Sequence, residues 1–361
     1  MTSTQIQLAR RRLCLGISNV GFWVLAAAAG LCWLVNRGGG APATELLCAI
    51  GVGVIAAQAM FDFLGGVTLM PGPRPSGMTF FRGWSRGVLG HTLVLTAVGM
   101  ASMFSLRFTG GFGAAIVLTT LAMALGRRHL LRAIAGVAPE EHLHDGEKTL
   151  TVAANDPAFT GGIVSLGRHA KSLMPTSWMS TLPKPALAAE SSRRRWQIAN
   201  ALPARAFFLI LLWNLLGTFI GTQVFHLAAR PPAAALFGHA CWMTLWTFAS
   251  LLVLPALSRK AVFAADRAAA QSGHDPRAWI KRFPALVGED GSSNAAVQTI
   301  FYPVPSAELR LRQLDHSTTG FIPGNLGRCN LYYSWATFTL LGRAVHCNVG
   351  RPALWVFPPS A

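Results

Sequence analysis

Five stretches of this chain, 17–35, 46–64, 88–106, 206–227 and 236–257, are apolar for long enough to cross a bilayer as helices. A sixth, 112–125, is shorter and follows the third after a Gly-containing break at 107–111. It suits either a tight helical hairpin partner or a re-entrant segment, and is taken as a spanning helix. The composition agrees: 52% of the residues are hydrophobic and only 12% charged, against about 25% charged in an ordinary soluble domain. The first run is long, and another apolar run follows it, so it is expected to remain as an anchor instead of being cleaved as a signal peptide.

The basic residues orient these spans. Arg10, Arg11 and Arg12 precede the first. Arg74, Arg82 and Arg86 follow the second, Arg127, Arg128 and Arg132 the fourth, and Arg259, Lys260 and Arg267 the sixth. The alternate connections hold only Arg37, Arg107 and Arg230. Six spans with both termini in the cytoplasm, in a bacterial-type inner membrane, satisfy every loop. The formal charge of +17 then faces anionic lipid, which makes the bilayer the first partner. No basic motif interleaved with aromatics is present, so nucleic acid is not expected as a partner. The six cysteines contain no Cys-x-x-Cys and suggest neither a zinc knuckle nor a redox pair.

The fold class expected is therefore a polytopic α-helical membrane protein with a small α+β cytoplasmic domain. Residues 1–125 form a four-helix bundle, 126–205 a first polar half, 206–257 a membrane hairpin and 258–361 a second polar half. Within the first half, 148–152 is strand-like, Asn155-Asp156-Pro157 is a turn, Gly161-Gly162 suits a turn or bulge, and 188–199 is helical. In the second, Ser258 is a candidate N-cap for a helix over 259–271, and 305–314 is a short helix. Residues 318–361 are rich in Gly, Pro and aromatics. The apolar run 331–341 is too short to span alone, and either lies in the interface or packs on the bundle.

The order of these parts resembles the integral-membrane zinc peptidases of the CAAX prenyl protease and HtpX type. Ala158-Phe159-Thr160-Gly161-Gly162 stands for the sheet signal of that family, and 173–182 for the strand and turn that enter its zinc helix. Residues 262–269 resemble its second ligand helix, and 305–311 its last motif. The resemblance covers about 148–315. It implies a zincin-like fold but not its chemistry. Where the family carries His-Glu-x-x-His, this chain has Arg193, Arg194 and Gln197; the third ligand is matched by Val262 and a later His by Val304. Asp266 and Arg310 remain. A guanidinium cannot coordinate zinc, so the resemblance implies a degenerate zincin that binds no zinc and catalyses no peptide hydrolysis: a scaffold, assembly factor or accessory subunit of a larger membrane complex, with other membrane subunits as partners.

Other candidates carry the alternatives. Glu140, Glu141, His142, His144 and Asp145 form the one dense set of ligand-type residues, bracketed as a loop by Pro139 and Gly146; it reads as a solvated acidic loop, or as the metal site of an enzyme of another design. His91, His226 and His239 lie in or at the ends of spans, as structural hydrogen-bonding groups or as ligands of a cofactor in an electron-transfer or photosynthetic subunit. The non-catalytic reading expects no cofactor and no zinc. Asn214 and Gln223 are expected to hydrogen-bond between helices. Asp62 is expected to pair with Arg82 or Arg86. Arg193, Arg194 and Arg195 are expected to touch lipid headgroups, or to pair with Glu190 one turn back.

Overall fold

The computed structural model describes residues 2–36, 44–70, 75–109, 111–144, 147–290, 294–316 and 320–359; the expectations placed on Arg37, Arg74, Asp145 and Gly146 fall outside them. Among the described residues six helices are long and apolar enough to cross a membrane: α1 (Ser3–Asn36), α2 (Thr44–Phe63, its apolar span running over Ala49–Thr68), α3 (Gly77–Thr109), α4 (Gly113–Ala135), α7 (Leu202–Val224) and α8 (Pro232–Gln271). Helices close their own backbone hydrogen bonds, which is why a multi-pass chain is built from them. Large apolar side chains such as Leu25, Met60, Leu93, Phe104, Phe208 and Phe219 point outward and are more than half exposed. Water would penalise such a surface; hydrocarbon does not. The short run 112–125 reaches spanning length because α4 continues through Arg127, Arg128 and Arg132. It stops at Gly136, whose left-handed φ of 71° lets its N–H cap the Arg132 carbonyl.

Helix α8 corrects one expectation. The sixth span and the helix over 259–271 are a single element of 40 residues that runs through Pro255. Ser258 is not an N-cap but an interior residue. Its hydroxyl donates to the Leu254 carbonyl at 2.9 Å and accepts from the Gly327 N–H at 2.8 Å. An interior proline disfavours a helix by about 3 kcal/mol. Here α6 (Lys184–Ala199), α10 (Ala295–Phe301) and α12 (Leu326–Tyr333) pack along α8 and hold it continuous.

The polar segment after α4 forms a four-stranded mixed sheet. Strands β1 (Glu140–His144), β2 (Glu147–Val152), β3 (Gly162–Val164) and β4 (Lys171–Pro175) lie in the order β1-β2-β4-β3. β2 and β4 are parallel, with Leu150 opposite Leu173; the outer pairs are antiparallel. Over 140–144 the acidic loop expected at 140–145 is thus corrected to an edge strand, Glu140 pairing with Thr151. Its hydrogen-bond partners come from the next strand, which a local polar pattern does not reveal. Gly161 is required where it stands: its φ is 68°, and a Cβ there would lie 1.9 Å from the Leu173 carbonyl oxygen. After β4 comes the short α5 (Thr176–Thr181), and after α8 come α9 (Arg277–Val287), α10 and α11 (Ala307–Arg312).

Residues 326–357 sit at the centre of the molecule. The chain enters as α12, turns at Phe338 (φ 63°) beside Gly99 of α3, and returns through α13 (Leu341–Ala344) and α14 (Pro352–Val356). Tyr332, Trp335, Leu354 and Trp355 are buried in one core with Leu131, Ile134, Phe159 and Phe207. The run 331–341 therefore packs inside the bundle and is not interfacial. Irregular backbone is tolerated at such depth because protein surrounds it.

Candidate functional site

Among the described residues, buried charge gathers in several places, and two of these clusters involve positions singled out in the sequence. The first lies where α6 meets α8. Ala186, Ala189, Glu190, Arg193 and Arg194 recur at helical spacing on one buried face of α6. Arg193 forms ion pairs with Glu190 on its own helix and with Asp266 of α8, the latter at 2.7 Å. Arg310 of α11 binds both oxygens of Asp266 at 2.8 Å, a bidentate pair. Arg194 donates to Glu190 at 2.6 Å, to the carbonyl of Thr160 just before β3 and to that of Leu173 on β4. Its guanidinium also sits over the Trp178 ring. Burial opposes the charge of Arg193, but Asp266 and Glu190 outweigh that and raise its pKa above the ordinary arginine value.

Three guanidinium groups thus surround two carboxylates, and every carboxylate oxygen is engaged. Arg193 and Arg194 are fully buried, which corrects the expectation of headgroup contact for them; the pairing of Arg194 with Glu190 is present. Val262, one turn before Asp266 on α8, and Val304 belong to an apolar core with Met174, Trp178, Trp279 and Phe283. Gln197 is half-buried at the edge of a small cavity of about 90 Å³. Chemically the cluster is a lock. Guanidinium has donors only, and each oxygen of the two carboxylates already accepts from at least one of them.

The second cluster lies within the helical bundle, around Asp62 at the end of α2. Its Oδ1 accepts from Gln58 at 3.0 Å and from the Gly350 N–H at 2.9 Å. Its Oδ2 accepts from Trp84 of α3 at 3.0 Å and from Arg343 of the re-entrant segment. Gln58 in turn accepts from Trp23 of α1 at 2.7 Å. The expected pairing of Asp62 with Arg82 or Arg86 is corrected to Arg343; Arg86 donates instead to the Ala135 carbonyl. Arg343 also approaches His91 Nδ1 at 3.3 Å and lies over the Trp355 ring. Gln58, Trp84 and Arg343 carried no mark in the sequence beyond being polar or amphipathic within apolar surroundings.

The remaining candidates are scattered. His142, exposed on β1, pairs through Nδ1 with Thr151 Oγ1 at 2.8 Å. His144 follows two residues later on the same strand. His91 packs on Trp335, His239 stacks on Phe112 at 4.3 Å, and His226 is exposed just past the end of α7 with a left-handed φ. Gln223 is exposed, and the buried Asn214 side chain has no hydrogen-bond partner, so neither links helices as expected. Among the described residues, no group of three or more His, Cys, Asp or Glu side chains is placed to hold a metal ion. Comparison of the chain with family models, with curated proteins and with solved structures finds no match.

Proposed function

We propose that this chain is a non-catalytic multi-pass membrane protein, a pseudopeptidase that acts as scaffold, assembly factor or accessory subunit of a larger membrane complex. One observation carries the reading. Arg193, Arg194 and Val262, set by resemblance at the positions of zinc ligand, general base and third ligand, lie in the α6–α8 contact, and the two arginines there are tied into a closed charge cluster with Glu190, Asp266 and Arg310. A peptidase zinc needs three donor side chains and an open position for water. This contact offers guanidinium groups and methyl groups in their place. The distribution of basic residues supports an inner-membrane location with both termini in the cytoplasm, and lipids and neighbouring subunits as partners.

The test is purification of the native-level tagged protein in mild detergent, with mass spectrometry of what accompanies it. A reproducible, near-stoichiometric set of membrane subunits supports the reading. Recovery of the chain alone, with peptide-hydrolysing activity in the purified fraction, overturns it.

A further inference from the structure

A cavity of about 810 Å³ opens between α1, α2, α3, α8 and the re-entrant segment. Along α3 it runs from Val88 to Met103, about 22 Å at the helical rise. Its walls are apolar, from residues such as Ala27, Ile55, Leu95 and Leu236, and it lies between helices apolar enough to cross a membrane. Polar side chains gather near one end, where Gln58, His91 and Arg343 join the lining.

We propose that this cavity holds a single-chain lipid with an uncharged, hydrogen-bond-accepting head, of the isoprenoid quinone class. The volume falls within the range of about 300–1,000 Å³ usual for small-ligand sites. The cavity's length exceeds the roughly 15 Å depth of one hydrocarbon leaflet, which suits a long isoprenoid tail. The polar end is electrically compensated, since Asp62 pairs with Arg343; a phosphate or carboxylate head would face no free cation there. It offers a donor instead. Arginine only donates, so His91 Nδ1, 3.3 Å from Arg343, accepts, and the ring proton of the neutral imidazole sits on Nε2. Nε2 is enclosed and has no hydrogen-bond partner among the described residues. A quinone carbonyl supplies the missing acceptor. Trp23, which donates to Gln58, brings an aromatic ring to the same end of the cavity.

This inference is independent of the pseudopeptidase reading, since it involves none of the α6–α8 residues. The full-length protein is purified in mild detergent, its lipids are extracted and quantified per chain, and uptake of a short-tailed benzoquinone is followed by native mass spectrometry. Wild type is expected to carry one single-chain uncharged lipid and to exchange it for the added quinone. Ala240→Trp, which fills the cavity, abolishes both; Ala27→Phe replaces it if that variant does not elute as a folded protein. His91→Phe keeps the ring against Trp335 and weakens quinone uptake about 3- to 10-fold, the worth of one hydrogen bond. An extract that mirrors bulk phospholipid and is unchanged in the filled variant overturns the proposal, as does a wild type that takes up no quinone.

Discussion

Asp62 and Arg343, 281 residues apart in sequence, form an ion pair in which both side chains are almost wholly buried. The pair fastens the re-entrant segment to α2. Its four donors to one carboxylate come from α2, α3 and the C-terminal segment, so Asp62 is the point at which three distant parts of the chain agree. Removing one partner strands the other charge in a medium that cannot solvate it, which typically destabilises by about 3–5 kcal/mol. Asp62→Ala and Arg343→Met are each expected to lower thermal stability in detergent by that order. The double variant is expected to lose clearly less than the sum of the two. Strict additivity in the double-mutant cycle would show that the pair does not couple.

Gly350 makes the same junction sensitive to a single methyl group. Its N–H reaches Asp62, its φ is 71°, and a Cβ would lie 2.0 Å from the Asp62 carbonyl oxygen. Gly273, after α8, has a φ of 79° but open space around it. Gly273→Ala should therefore cost only the left-handed backbone, about 1–2 kcal/mol. Gly350→Ala must also displace backbone at the lock, and should lower the melting temperature more and expose 326–357 to limited proteolysis. Equal losses for the two variants would mean that the contact with Asp62 yields freely.

The six spans were legible because a long apolar run is a local signal, and α4 shows its limit: the run ended at Leu125 but the helix continued on amphipathic arginines. Glu190 with Arg194 was legible for the same reason, being one helical turn apart. Arg343 was not. Nothing near it in sequence announces Asp62, because the partnership is made by the return of the chain through the bundle. The break expected at Ser258 failed differently: Pro255 and Ser258 locally favour a boundary, and packing of α6, α10 and α12 against α8 overrides them.

His346 adds a pH dependence. It is half-buried, its Nε2 enclosed, with Arg12, Arg328 and Arg351 nearby and Tyr302 against its ring. Burial first, then these arginines, hold its pKa down to about 3, below the ordinary 6.5 or so of an unfolded chain. Between those values the unfolded state binds a proton that the folded state does not, so stability falls as pH falls, by about 1.4 kcal/mol per pH unit for one proton. Above pH 7 the effect is absent. Unfolding of wild type in detergent should therefore shift between about pH 6.5 and 4, and His346→Phe should flatten that dependence while leaving the melting temperature at pH 8 less changed. A slope identical in both proteins would assign it to other groups.

The correspondence of α6 and α8 with a zinc site can be tested by rebuilding one. Arg193→His, Arg194→Glu, Gln197→His and Val262→Glu together would place two His one helical turn apart on α6 and a carboxylate on α8. Asp266 keeps its bidentate partner Arg310. Glu190 loses both of its cations, and a bound dication would compensate that charge. The variant is expected to retain about one zinc per chain after dialysis, whereas wild type retains none. Its melting temperature should rise with free zinc by mass action. Size exclusion and circular dichroism report whether it has folded. A folded variant that holds no zinc and gains no stability from it would place these four side chains apart in space, and with that the likeness to a peptidase site would be lost.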